Sequence, residues 1–175
     1  MAIERSKRPV AAARLATAAR RLLDASTLCA IATVARDGRA YVNTAYFAWS
    51  PEFDIVWLSD PRAKHSGNIH ANAAAAIAVY DSSQSWGEPD CGIQLFGAAR
   101  ELEGAVVDAA ESHYAKRFAG YRREDLGAYR FYLFRPSRLK LFDEHDFGAG
   151  MFVTARLTRD RRLAWERTEL YRPPA

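Results

Sequence analysis

At 175 residues the chain is long enough to bury one hydrophobic core and falls in the size range where single domains are the rule. Its formal charge of +4 comes from basic residues scattered among acids, with no basic face beside aromatic stacking platforms, which argues against a nucleic-acid binder. Two cysteines lie far apart in strand-like stretches and read as buried thiols, and no run approaches the roughly 20 apolar residues of a membrane span, so a soluble cytoplasmic protein is expected.

Along the chain, arginines interrupt residues 1–26 too often for a secretory apolar core, while Leu15, Ala18, Ala19 and Leu22 share one helical face; a helix packed on the body is expected there. Residues 27–35 are apolar and partly β-branched and end at Asp37-Gly38, the dipeptide of tight hairpins. A second strand follows over 40–49, a break at Ser50-Pro51-Glu52, and a third strand over 55–59, which together make an antiparallel meander. Asp60-Pro61 reads as an N-cap followed by proline at the first helical position, opening a short helix that runs to about His70. Strands are expected over 77–80 and 92–102, a helix over 105–118, and two strands over 130–134 and 138–142, divided by Pro136. Residues 151–157 have strand character before the tail frays.

Hairpin-closed strands, one helix and further strands predict a mainly β fold with flanking helices, a six- to seven-stranded antiparallel split β-barrel; no GxGxxG or P-loop points to a Rossmann domain. The expected organisation is an N-terminal helix over 1–26, a barrel domain over 27–142 and a C-terminal extension over 143–175.

The stretch IVWLSDPRAKHSGNI, residues 55–69, carries the most chemistry. A strand runs into a helix start, where backbone N–H groups and partial positive charge gather, and Ser59, Lys64 and His65 add a hydroxyl and two basic side chains suited to a phosphate. The same two basic residues would equally serve as an ordinary solvated helix face, and Asp60 would repel an anion placed directly at the helix end.

SDPRAKHSGNI resembles, without a gap, the T-S-P-D-S-R-H-A-R-N-L pattern of the pyridoxamine-phosphate-oxidase-like, FMN-binding split barrels. The resemblance assigns the FMN phosphate to Ser59, Lys64 and His65; the family's second serine falls on Ala63, which removes one phosphate hydrogen bond. ATVARDGRAYVNTAYFAW is similar to the family's first hairpin, whose second strand lays its backbone along the flavin ring, here Asn43, Thr44, Ala45 and Tyr46. GIQLFGAARELE resembles the later strand with its Q-x-x-G-x-A pattern at Gln94, Gly97 and Ala99, and AESHYAKRF the following helix, with Tyr114, Arg117 and Phe118. The resemblance covers about residues 22–142 in order. It implies a homodimer with FMN at the subunit interface and an oxidoreductase acting on an unidentified small molecule. The ring performs the redox chemistry, so no catalytic side chain is assigned. Tyr46, Trp49 or Trp86 would suit the ring's apolar face, or equally the barrel core.

His65 and His70 stand five apart, which misses the one-face spacing of a zinc pair, and His113 lies on the apolar side of its helix; no metal site is expected. His145, within Asp143-Glu144-His145-Asp146, reads as part of a solvated turn, and it also supports an alternative: some similar split barrels degrade haem and take an axial histidine from this segment. A non-catalytic flavin module and a barrel holding the deazaflavin F420 are the remaining alternatives.

Overall fold

A computed structural model describes residues 2–6 and 8–172, apart from the side chains of Ala2 and Asp125; Met1, Lys7 and 173–175, within the expected terminal segments, lie outside the described residues. The described residues form nine strands: β1 (Ala2–Ser6), β2 (Leu28–Val34), β3 (Ala40–Trp49), β4 (Ile55–Ser59), β5 (Ala74–Tyr80), β6 (Cys91–Glu101), β7 (Arg130–Asp143), β8 (Met151–Leu157) and β9 (Leu163–Arg172). Four helices accompany them: α1 (Ala12–Asp24), α2 (Lys64–Ala71), α3 (Val106–Arg117) and the single turn α4 (Glu144–Phe147). The strand order β7-β4-β3-β2-β5-β6, with β6 returning to β7, closes a six-stranded antiparallel barrel, and β8, β9 and β1 extend the sheet beyond β7.

Two compact units interleave along the chain: 27–77 with 96–136, and 1–26 with 78–95 and 137–175. The first holds the meander. Asp37-Gly38 turns β2 into β3, with Gly38 at a φ of 83° that side chains rarely adopt, and the register pairs Leu28 with Tyr46 and Val34 with Ala40. Residues alternate between core and surface, so Cys29, Ile31 and Thr33 are buried while Leu28 and Val34 face outward. Burial pushes the Cys29 thiol up to about 12, which makes it a small hydrophobe rather than a nucleophile. Trp57 and Tyr132 stack 5.6 Å apart in the interior, while Phe131, the neighbour of Tyr132 on β7, packs with Tyr114 and Tyr121 in a separate aromatic group. Gly97 is obligatory, because a methyl there would overlap the Arg135 carbonyl oxygen.

The second unit is built on α1, whose Leu15, Ala18, Ala19, Leu22 and Leu23 are all buried while Arg14, Arg20 and Arg21 point outward. Each buried leucine contributes about 1.5–3 kcal/mol. The expected N-terminal helix thus occupies 12–24 only. A strand precedes it, and β1 finds its partner in β9, with Ser6 opposite Thr168. Neither strand was expected, because their charged residues mask the alternation and the pairing joins the two ends of the chain.

Two further differences from expectation have local causes. β7 is one strand through Pro136: its ladder with β4 runs to Phe134 and its ladder with β8 begins at Arg138, so the proline falls where one neighbouring strand gives way to the next. Asp143 is no solvated turn residue: it is fully buried, accepts the Asp146 N–H at 3.2 Å as the N-cap of α4, and is paired with Arg21.

Candidate functional site

The hand-over from β4 to α2 is the centre of the candidate site. Ser59, the last residue of β4, is buried. Asp60 does not cap the helix as expected. Its carboxylate accepts the Arg62 N–H at 2.8 Å and pairs with the Arg62 guanidinium at 2.7 Å, which pulls its pKa down to about 2. The intervening residues form a tight turn, closed by Ala63 N–H to Asp60 O at 2.9 Å, and α2 begins four residues later, at Lys64. No side chain caps this helix and no acid stands in its first turn, so the positive end of its dipole is left uncompensated. The repulsive carboxylate expected at the helix end is therefore already neutralised by Arg62.

The structure brings together two of the three expected phosphate ligands and sets the third apart. Ser59 Oγ and His65 Nε2 lie 2.6 Å apart, and Ser66 Oγ, 3.5 Å from the Ser59 hydroxyl, donates to the Asp60 carbonyl at 2.8 Å. The His65 ring is half-buried, and desolvation holds its pKa below the ordinary histidine value, favouring a neutral imidazole. Lys64 leaves the helix in a different direction, since neighbouring helical residues are about 100° apart. It is exposed, with its ammonium 5.1 Å from the Tyr41 ring centroid. Lys64 lines an open cleft of about 400 Å³ with Arg36, Asp37, Arg62, Gly67 and Ala71, and neither Ser59 nor His65 reaches it.

Arg36 was missed by sequence reasoning, because only folding brings the β2–β3 turn beside α2. Asn68 was also missed as a functional support. It is buried and donates to Thr33 Oγ1 at 3.1 Å, tying α2 to β2, and the resemblance to the family's N-L pair was the signal available. The donor set of Lys64, Arg36 and an uncapped helix start suits a phosphate dianion.

On β3 the expected flavin-lining residues divide by strand alternation. Thr44 and Tyr46 face the open surface, with Tyr46 57% exposed and edge-on to Phe118 at 5.8 Å. Asn43 and Ala45 are half-buried on the opposite face, and the Asn43 side-chain oxygen is buried with no hydrogen-bond partner. The outward face of the β2–β3 hairpin is apolar, with Leu28, Val34, Val42 and Tyr46 all exposed. Trp86 is fully exposed, and Tyr114 and Phe118 sit 4.7 Å apart in the aromatic group while Arg117 covers Phe47 at 4.5 Å. In the other unit, Gln94 is half-buried on β6 between Ile93 and Leu95, and His145 is exposed on α4.

The chain matches the family model for pyridoxamine 5'-phosphate oxidase over residues 15–143. No curated protein sequence matches it. Among solved structures it is similar to the haem storage protein HutZ from Vibrio cholerae (17% identity, 67% of this chain and 87% of that one, TM-score 0.59). It is also similar to a protein related to general stress protein 26, of the pyridoxinephosphate oxidase family, from Clostridium acetobutylicum (10% identity, 85% and 97%, TM-score 0.63). An F420 reductase aligns at 23% identity over 69% and 94% of the two chains, with a TM-score of 0.54. At these identities the three structures speak for the fold alone, and proteins with different ligands share it. With the family model spanning the barrel strands and the β4–α2 motif together, the chain belongs to the pyridoxamine 5'-phosphate oxidase family.

Proposed function

We propose that this chain binds FMN as a homodimer and acts as a flavin-dependent oxidoreductase on a small molecule. The observation that carries this reading is the cationic cleft at the uncapped start of α2, where Lys64 and Arg36 have no acidic partner among the described residues. In this reading Lys64, Arg36 and the first N–H groups of α2 hold the phosphate dianion, and Asp60 keeps Arg62 in place beside them. The Ser59–His65 pair anchors the end of β4 against α2, so the cradle is preorganised before the ligand arrives. The backbone of Asn43 to Tyr46 borders the ring, as the family resemblance implies. When bound, the flavin supplies hydride or electron transfer, and the chain supplies position and exclusion of water.

The apolar outer face of the β2–β3 hairpin supports the dimer. Leu28, Val34, Val42 and Tyr46 are more exposed than an isolated chain would favour for such side chains, and a second copy is the occupant that family membership favours.

The decisive experiment is spectroscopic. The purified protein is titrated separately with FMN, F420 and haemin, while sedimentation reads the number of chains per ligand. Saturable FMN binding with one flavin per chain in a dimer is the expected result. A Soret band with haemin that disappears in His145→Ala, or saturation by F420 alone, would overturn the FMN assignment.

A further inference from the structure

A second cavity, of about 250 Å³, lies under α3 at the far end of β4 from Ser59. Asp54 immediately precedes β4 and Ser59 ends it, so at about 3.3 Å per residue roughly 16 Å of strand separates the Asp54 rim of this cavity from Ser59. Its floor is apolar: Val56, Leu102 and Ala110 are buried, and Leu133 completes it. Its rim is charged and rigidly held. The turn from β3 to β4 is closed by Ser50 N–H to Asp54 O and Phe53 N–H to Ser50 O, both at 2.9 Å, with Phe53 buried at a φ of 68°. Asp54, nearly buried, accepts two hydrogen bonds from the Arg135 guanidinium at 3.2 and 3.3 Å, which neutralises that arginine and fixes it in the wall.

Arg100, from β6, also lines the cavity and has no ion-pair partner among the described residues; the half-buried His113 of α3 likewise has no hydrogen bond. An unmatched guanidinium at the edge of an apolar floor recognises an anionic head on an apolar body. With Asp54 matched by Arg135, the Glu52 carboxylate adds negative charge on the same rim, which selects against dianions such as phosphate esters. The volume suits a molecule of about ten non-hydrogen atoms.

We propose that this cavity is a binding site for a small monocarboxylic acid with a compact apolar body, its carboxylate on Arg100 and its apolar part on Val56, Leu102 and Leu133. The site does not depend on the flavin assignment. The test is an amide-resolved NMR titration of the full chain with benzoate as probe, benzamide as its uncharged counterpart and phenyl phosphate as the dianion. Saturable benzoate shifts are expected at the β3–β4 turn and along α3, with benzamide and phenyl phosphate each weaker by about tenfold or more. Arg100→Gln, an exposed position, weakens benzoate by about tenfold or more, and Ala109→Phe, also exposed and at the mouth, blocks it. Non-saturating shifts, shifts centred on Lys64 and Arg36, or unchanged benzoate affinity in a folded Arg100→Gln protein would each overturn the proposal.

Discussion

Two helix ends in this molecule use the same residue types for opposite purposes. At α4, Arg21 bridges Asp143 and Asp146, reaching the latter at 2.7 Å, and Arg14 donates to the Asp146 carbonyl while its guanidinium covers the Phe147 ring at 5.5 Å. The charges of Arg21, Asp143 and Asp146 are matched to one another, and one of them, Asp143, is fully buried. At the start of α2 the ion pair of Asp60 with Arg62 is local and exposed, and Lys64 and Arg36 have no acidic partner among the described residues. Matched and buried charges make a lock, since removing either partner strands the other in a low dielectric. Unmatched cations around a cleft make a receptor, because solvation keeps them stable until an anion displaces the water.

Removing the lock is the largest way to break this contrast. Arg21→Ala leaves the Asp143 carboxylate buried without its cation and lowers stability by about 2–4 kcal/mol, somewhat under the cost for a fully buried pair because the Arg21 side chain is half exposed. Urea unfolding of the variant checks this, and a change below about 0.5 kcal/mol would reduce the cluster to surface decoration. The receptor responds in the opposite way. Lys64→Ala weakens FMN by about 1.5–3 kcal/mol, roughly 10- to 150-fold, while the stability of the ligand-free protein stays within about 0.5 kcal/mol. Riboflavin, lacking the phosphate, binds variant and parent alike if Lys64 acts on that group; fluorescence titration of both ligands separates the cases.

The smallest effect is a pH dependence that sharpens the comparison from within the α2 site. His65 binds its proton less readily when folded, because its half-buried ring is desolvated, so the unfolded chain holds more protons as pH falls through the ordinary value of 6.5. Its contribution to stability is full above that value and is lost progressively as pH drops toward the folded pKa. Thermal midpoints at about pH 7.5 and about pH 5.5 therefore differ more in the parent than in His65→Asn. Equal slopes would show that the ring carries no folding linkage.

The meander was legible because each cue was local. Alternation over 27–35, Asp37-Gly38 and the break at Pro51 specify β2, β3 and β4 without reference to anything distant. The β4–α2 motif was legible in the same sense, and it placed Ser59 and His65 correctly as neighbours. The helix starts three residues later than the sequence suggests, because Asp60 is an equally good cap and turn former and the competing donor, Arg62, decides between them. The family pattern groups Lys64 with Ser59 and His65, and one step along the helix turns the Lys64 side chain toward the cleft that Arg36 also lines. Nothing local distinguishes Arg36 from the other arginines, and the charge pattern of 163–172 hides a strand whose partners are β8 and residues 2–6.

Local pattern by itself determined the type and order of the barrel strands, the presence of a helix after the third of them, and the family motif at their junction, because backbone sterics and burial periodicity act over a few residues. Tertiary structure alone decided which cations meet acids and which face a cleft. Ion pairing depends on distance through space, and residues such as Arg21 and Asp143, at opposite ends of the chain, acquire that distance only when the fold is complete.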